Sequence, residues 1–118
     1  MRLSLLLFFL YQLLWFASKT NQGFKKFISK ASVRVMIKTE DGNHSRLFIF
    51  DRGIVSSITG PDHKYDVAMV WKDSKTAFNV LLKKDQTEIF NAAASGKLRI
   101  EGMSVYAIWF DNATKFIV

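Results

Sequence analysis

The sequence predicts an α+β fold, with helices at the amino-terminal end, a run of antiparallel strands through the middle, and two helices and a further strand behind it. Three successive stretches of apolar period predict it. Residues 3 to 31 place apolar side chains at helical spacing, residues 33 to 71 alternate with period two between turn signals, and the helical period returns after Trp71. A chain of 118 residues makes one domain, 1–118. At that length folding buries roughly two thirds of the unfolded surface, so a core forms without staples.

The first helix covers LSLLLFFLYQLLWFA, residues 3 to 17, a run of about 22 Å that is shorter than the roughly 30 Å hydrocarbon core of a bilayer. Ser4, Phe8, Tyr11, Gln12, Trp15, Ser18 and Lys19 share one side, and the opposite side is almost pure Leu and Phe. Such a helix either covers a hydrophobic core or contacts a membrane, and the two are compatible. A secretory signal or anchor is the third reading, since Arg2 precedes the run and small residues follow it. A second helix is expected from Asn21 to Ala31, with Phe24, Phe27, Ile28 and Ala31 inward and Lys25, Lys26 and Lys30 outward.

VRVMIKT begins the strands, followed after Asp41-Gly42 by RLFIFD, after Asp51-Arg52-Gly53 by GIVSSIT, and after Gly60-Pro61-Asp62 by YDVAMVW. Joined by short turns, the four are expected to form an antiparallel meander, with Tyr65, Val67, Met69 and Trp71 on one face. Asp73 or Ser74 then caps a helix with Ala77, Phe78, Leu81 and Leu82 as its apolar stripe. Asp85 and Glu88 have the spacing of a capping box, opening a helix that stops at Ser95-Gly96. KLRIEG is a fifth strand with Leu98 and Ile100 inward, and the periodicity of MSVYAIWF fits strand or helix.

Composition narrows the chemistry. With no cysteine there is no disulfide, thiolate metal site or thiol nucleophile, and two histidines, His44 and His63, make a histidine metal centre unexpected. No Gly-rich phosphate loop and no nucleophile elbow occur, so neither a cofactor nor a catalytic residue is expected. Asp62, His63 and Asp66 are read as a solvated turn rather than an acid–base cluster. The net charge is +7, and residues 1 to 60 hold nine Lys+Arg against three Asp+Glu. Phe48, Phe50 and Arg46 on one strand would suit single-stranded nucleic acid. The basic residues accompany the greasy helices instead, which favours an anionic membrane surface and no nucleic acid.

Three passages resemble the sterol carrier protein 2 family of lipid-transfer domains. HKYDVAMVWKDSKTAFNVLL is similar to that family's strand leading to an Asp-Ser helix start, NAAASGKLRIEG to its Gly-Lys-Leu-Lys-Ile-x-Gly strand, and MSVYAIWF stands where its closing amphipathic helix lies. Residues 33–118 hold the core of the resemblance, and residues 1–19 supply a first helix more apolar than is usual there. Lys84-Asp85-Gln86 replaces the family's Asn-Pro pair between the two helices.

The resemblance implies a five-stranded, mostly antiparallel sheet with helices packed on one face and a hydrophobic tunnel between them. The tunnel would be lined by Phe78, Leu81, Leu82, Ile89, Phe90, Met103, Tyr106, Ala107 and Phe110, and the alternative is that these residues fill a solid core. It implies non-catalytic binding and transfer of a hydrophobic lipid of sterol, fatty acyl or isoprenoid type. Tyr11, Trp15, Lys19, Lys25, Lys26 and Lys30 would touch an anionic membrane surface, giving a cytoplasmic, peripherally membrane-associated protein. The alternative function is an accessory subunit that presents a lipid-like intermediate, such as a quinone precursor, to a biosynthetic enzyme. A homodimer closed by the first helix is the other expected partnership.

Overall fold

The computed structural model describes residues 2–42, 44–60, 62–83 and 86–117. In chain order these form α1 (Arg2–Thr20), α2 (Gln22–Ile28), β1 (Ser32–Thr39), β2 (Ser45–Asp51), β3 (Ile54–Thr59), β4 (Val67–Trp71), α3 (Ser74–Lys83), α4 (Gln86–Ala94), β5 (Leu98–Gly102) and α5 (Ser104–Thr114). The sheet order is β3-β2-β1-β4-β5, antiparallel throughout except that β1 and β4 run parallel.

The expected four-strand meander holds only for β1 to β3. Instead of returning beside β3, β4 lies on the far side of β1, with Val35 opposite Val67 and Thr39 opposite Trp71. Its composition explains the place: every residue of VAMVW is buried, which suits an interior strand with a neighbour on each side. Period-two alternation reports which faces are buried and says nothing of which neighbour a strand pairs with.

Tyr65 departs from expectation with it. The strand begins only at Val67, because Asp66 turns inward to β1, its amide donating to Arg34 O at 2.9 Å and its carboxylate accepting from Arg34 N at 2.8 Å. Tyr65 therefore lies on the face without helices, packed on Met36, Leu47, Ala68 and Val70. Its hydroxyl donates to Glu101, 2.9 Å away, and Lys38 stands over its ring. That hydrogen bond holds the Glu101 carboxyl below its ordinary range and the Tyr65 hydroxyl above its own.

The opposite face of the sheet presents Val35, Ile37, Phe48, Phe50, Val67, Met69 and Trp71 to the helices. α1 lies across it through Leu3, Leu7, Leu10, Leu14 and Ala17, a seam at the three- and four-residue spacing of one helix stripe. Phe48 and Phe50 are thus sealed under helices, and no base could stack on them. MSVYAIWF resolves as helix: Trp109 of α5 stacks on Phe27 and meets Phe50 edge-on, while Phe110 packs on Phe48. These aromatic contacts decide what periodicity left open.

Asp73 caps α3 by accepting from Thr76 N at 2.7 Å, and this bond lowers its pKa. Because the folded value is depressed, the stabilisation is present above the unfolded pKa and disappears as pH falls through the folded one. Asp73→Ala is expected to cost about 1 kcal/mol at neutral pH. Asp73→Asn should retain most of the cap and lose that acid dependence, as read by urea titrations at several pH values. The capping box proposed at Asp85 lies outside the described residues.

Candidate functional site

A cavity of about 430 Å³ lies between the helices and the carboxyl-terminal side of the sheet. Strand alternation supplies its floor, since Met69 of β4 and Leu98 and Ile100 of β5 all point to the helix side. Leu6 and Leu10, one turn apart on α1, form one wall, and Leu81 of α3 closes beside them. Ile89, Phe90 and Ala93 come from α4. α5 contributes Ala107, Ile108 and Phe110, with polar groups at Ser104, Asp111 and Thr114 and, just beyond its end, Lys115.

Five of the residues that the family resemblance marks as lining border this cavity: Leu81, Ile89, Phe90, Ala107 and Phe110. Three do not. Met103 precedes α5 and is exposed at the turn out of β5. Tyr106 sits two residues, about 200° of helix rotation, from Ile108, and packs on the core from the other side of α5. Phe78 is half-buried on α3 away from the lining. The side chain of Leu82 lies outside the described residues.

Sequence reasoning missed the strand floor and Leu6 and Leu10. The alternation of KLRIEG, which sets Leu98 and Ile100 inward, is a signal for that floor. No signal in α1 distinguishes which of its several leucine stripes meets a cavity.

Phe90 and Ile108 border the cavity and are also 62% and 58% exposed, so they mark its open side. On α1, Leu5, Phe9, Leu13 and Phe16 are exposed and share the outward side, continuing from the cavity wall at Leu6. The Leu/Phe side of the sequence reading thus splits into a buried seam and an outward face. Extending to Thr20, α1 is long and apolar enough, by length and composition, to cross a membrane; in this fold its seam is packed on the sheet.

Of the residues expected at a membrane, Tyr11 is half-buried against the core, and Trp15 is exposed with the Lys19 ammonium 5.8 Å from its ring centre. Lys26 and Lys30 are exposed and Lys25 is half-exposed on or just beyond α2. The first 39 residues hold seven Lys+Arg and no Asp or Glu. His63 bonds the Thr59 carbonyl and Asp66 the Arg34 amide, so the turn around them is held by backbone contacts. Among the described residues no group of three His, Asp or Glu side chains converges as metal ligands do.

A helix-covered, five-stranded mixed sheet in this order is the fold of sterol carrier protein 2 domains. The chain is similar to the solved ubiquinone synthesis protein UbiJ-SCP2, with TM-score 0.68 and 15% identity over 92% of this chain and 84% of that one. It is similar also to sterol carrier protein 2 from Yarrowia lipolytica, with TM-score 0.63 and 13% identity over 91% and 88%. The sterol carrier protein domain 2 of Helicoverpa armigera gives 0.62 and 16% over 89% and 82%. No protein-family model matches the sequence, and no curated protein matches it.

Proposed function

We propose that this protein is a non-catalytic lipid carrier that holds an apolar chain in the cavity between α1, α3, α4, α5 and the β4–β5 floor. The observation that carries the reading is the cavity itself: about 430 Å³, walled chiefly by Leu, Ile, Phe, Met and Ala with polar groups confined to α5 and its end, in a fold shared with sterol carrier domains. That volume is within the range of small-molecule pockets. Each methylene removed from water contributes about 0.8 kcal/mol, so about ten methylenes offer roughly 8 kcal/mol, from which the cost of immobilising the chain is subtracted. The attraction is non-directional, so chain length and girth would select the ligand more than chemistry does.

The outward face of α1 and the basic residues beside it suit peripheral contact with an anionic membrane, where each Lys or Arg near the surface contributes about 1 kcal/mol. The ligand would then enter on the side of Phe90 and Ile108, next to that surface. The similarity to a ubiquinone synthesis protein favours a second reading, an accessory subunit that presents a quinone precursor to a partner enzyme.

The test is native mass spectrometry of detergent-free protein with extraction of bound lipid, repeated on Ala107→Trp, which fills the cavity without burying a charge. Bound lipid that disappears in the variant, with the thermal transition retained, is the expected result. Wild-type protein that takes up no offered fatty acid, sterol or prenyl lipid would sink the carrier reading. Co-purification of one enzyme in fixed ratio would favour the accessory role.

A further inference from the structure

Along the side of α1 that faces β2 and β3, side chains meet in matching steps. Ser4 and Phe8 are one helical turn apart, about 6 Å, and His44 and Arg46 are two extended residues apart, about 6.6 Å. Ser4 Oγ accordingly lies 2.9 Å from His44 Nδ1, and the Arg46 guanidinium lies 5.5 Å from the Phe8 ring centre. Arg46 Nη1 also donates to Ser57 Oγ at 2.7 Å. Among the described residues this is the guanidinium's one hydrogen bond, and no carboxylate pairs with it. Neither α1 nor β3 contains an acidic residue. Burial pushes the guanidinium below its ordinary pKa, the cost of a cation held away from water.

A half-buried guanidinium with most of its planar fork unused is suited to an oxyanion, above all to phosphate. The surroundings select the source of that phosphate. Leu5 and Phe9, the residues next to Ser4 and Phe8 on α1, are exposed, so an anion at Arg46 would have an apolar surface beside it. A phospholipid has that arrangement of headgroup and chain; a soluble phosphate ester does not.

We propose that Arg46, flanked by Ser57, Ser4 and His44, binds the phosphate of an anionic membrane phospholipid and thereby sets the orientation in which Leu5, Phe9 and Phe16 enter the interface. This rests on the membrane contact proposed above. It adds a specific headgroup site, distinct from the diffuse charge of the lysines.

The experiment measures binding of the full chain to vesicles of phosphatidylcholine alone and of phosphatidylcholine with phosphatidic acid, with Arg46→Lys, Arg46→Gln and Lys26→Gln compared with wild type. One diffuse charge is worth about fivefold. Loss of a charge-assisted fork costs more, about tenfold or above. Arg46→Lys, which conserves net charge and a donor for Ser57, is therefore expected to weaken binding to phosphatidic acid vesicles about tenfold, and Arg46→Gln at least as much. Lys26→Gln should lose about fivefold or less. Full binding by Arg46→Lys, with equal losses in the two glutamine variants, would overturn the site in favour of diffuse attraction. Saturable binding of inorganic phosphate that leaves vesicle binding unaffected would overturn the lipid source. If wild type binds no vesicle, the membrane contact fails along with the site, while lipid uptake into the cavity is judged separately by the mass measurement. Thermal unfolding of each variant, expected to match wild type closely for Arg46→Lys, separates lost binding from lost folding.

Discussion

Gly102→Ala is expected to destabilise the protein by about 3 kcal/mol or more, and Gly96→Ala by only about 1 kcal/mol. Both glycines have positive φ, +84° at Gly102 and +80° at Gly96, so both substitutions share the conformational cost. They differ in what a new methyl group would meet. At Gly96 nothing lies within 4 Å, whereas at Gly102 the methyl would overlap the Asp66 carbonyl oxygen. That oxygen also accepts from Met103 N at 3.0 Å, the bond that turns the chain from β5 into α5. Asp66 in turn is tied to Arg34 of β1 by its amide and its carboxylate, so the backbone cannot retreat without loosening two strands. Overpacking of a rigid contact adds about 1 to 3 kcal/mol to the positive-φ cost. Urea titration of the two variants side by side measures the difference. Equal losses would mean that the approach of β5 to Asp66 is looser than described. Since α5 is a wall of the cavity, a surviving Gly102→Ala protein should also hold lipid more weakly.

Two faces of one helix should answer mutation oppositely. Leu7→Ala and Leu14→Ala, in the buried seam of α1, should each cost about 2 to 5 kcal/mol, because they remove side chains that are almost fully enclosed over the sheet. Phe9→Ala and Phe16→Ala, on the outward face, should change stability by no more than about 0.5 kcal/mol. Vesicle binding should show the reverse pattern, with the phenylalanine variants weakened and a correctly folded seam variant unaffected. Large stability losses at Phe9 and Phe16 would instead mean that a second copy or another element covers this face.

Most of the elements were legible in the sequence because local periodicity is a local property. The three strands before Gly60, a helix cap at Asp73 or Ser74 and the inward set Leu98 and Ile100 followed from alternation and turn chemistry alone. The helical state of residues 104 to 110 did not, since a largely apolar stretch satisfies both periods; Phe27, Phe48 and Phe50, distant in sequence, settle it. Five lining residues of the cavity were legible only through the family resemblance, which supplied a spatial arrangement that spacing cannot. Leu6 and Leu10 remained hidden among equivalent leucines. Arg46 was visible merely as a basic residue on a strand; its half-buried, carboxylate-free setting depends on Phe8 and Ser57 from two other elements.

Residue order alone thus determined the helix or strand state of every segment before Met103, the basic and apolar character of the amino-terminal end, and the lack of thiol chemistry. The pairing of β4 with β1, the division of α1 into seam and outward face, and the space between α5 and the β4–β5 floor belong to the assembled molecule. Hydrophobic periodicity records how many faces of an element leave water; which partner covers each face, and whether the partners meet or leave a gap, depends on side chains brought together from across the chain.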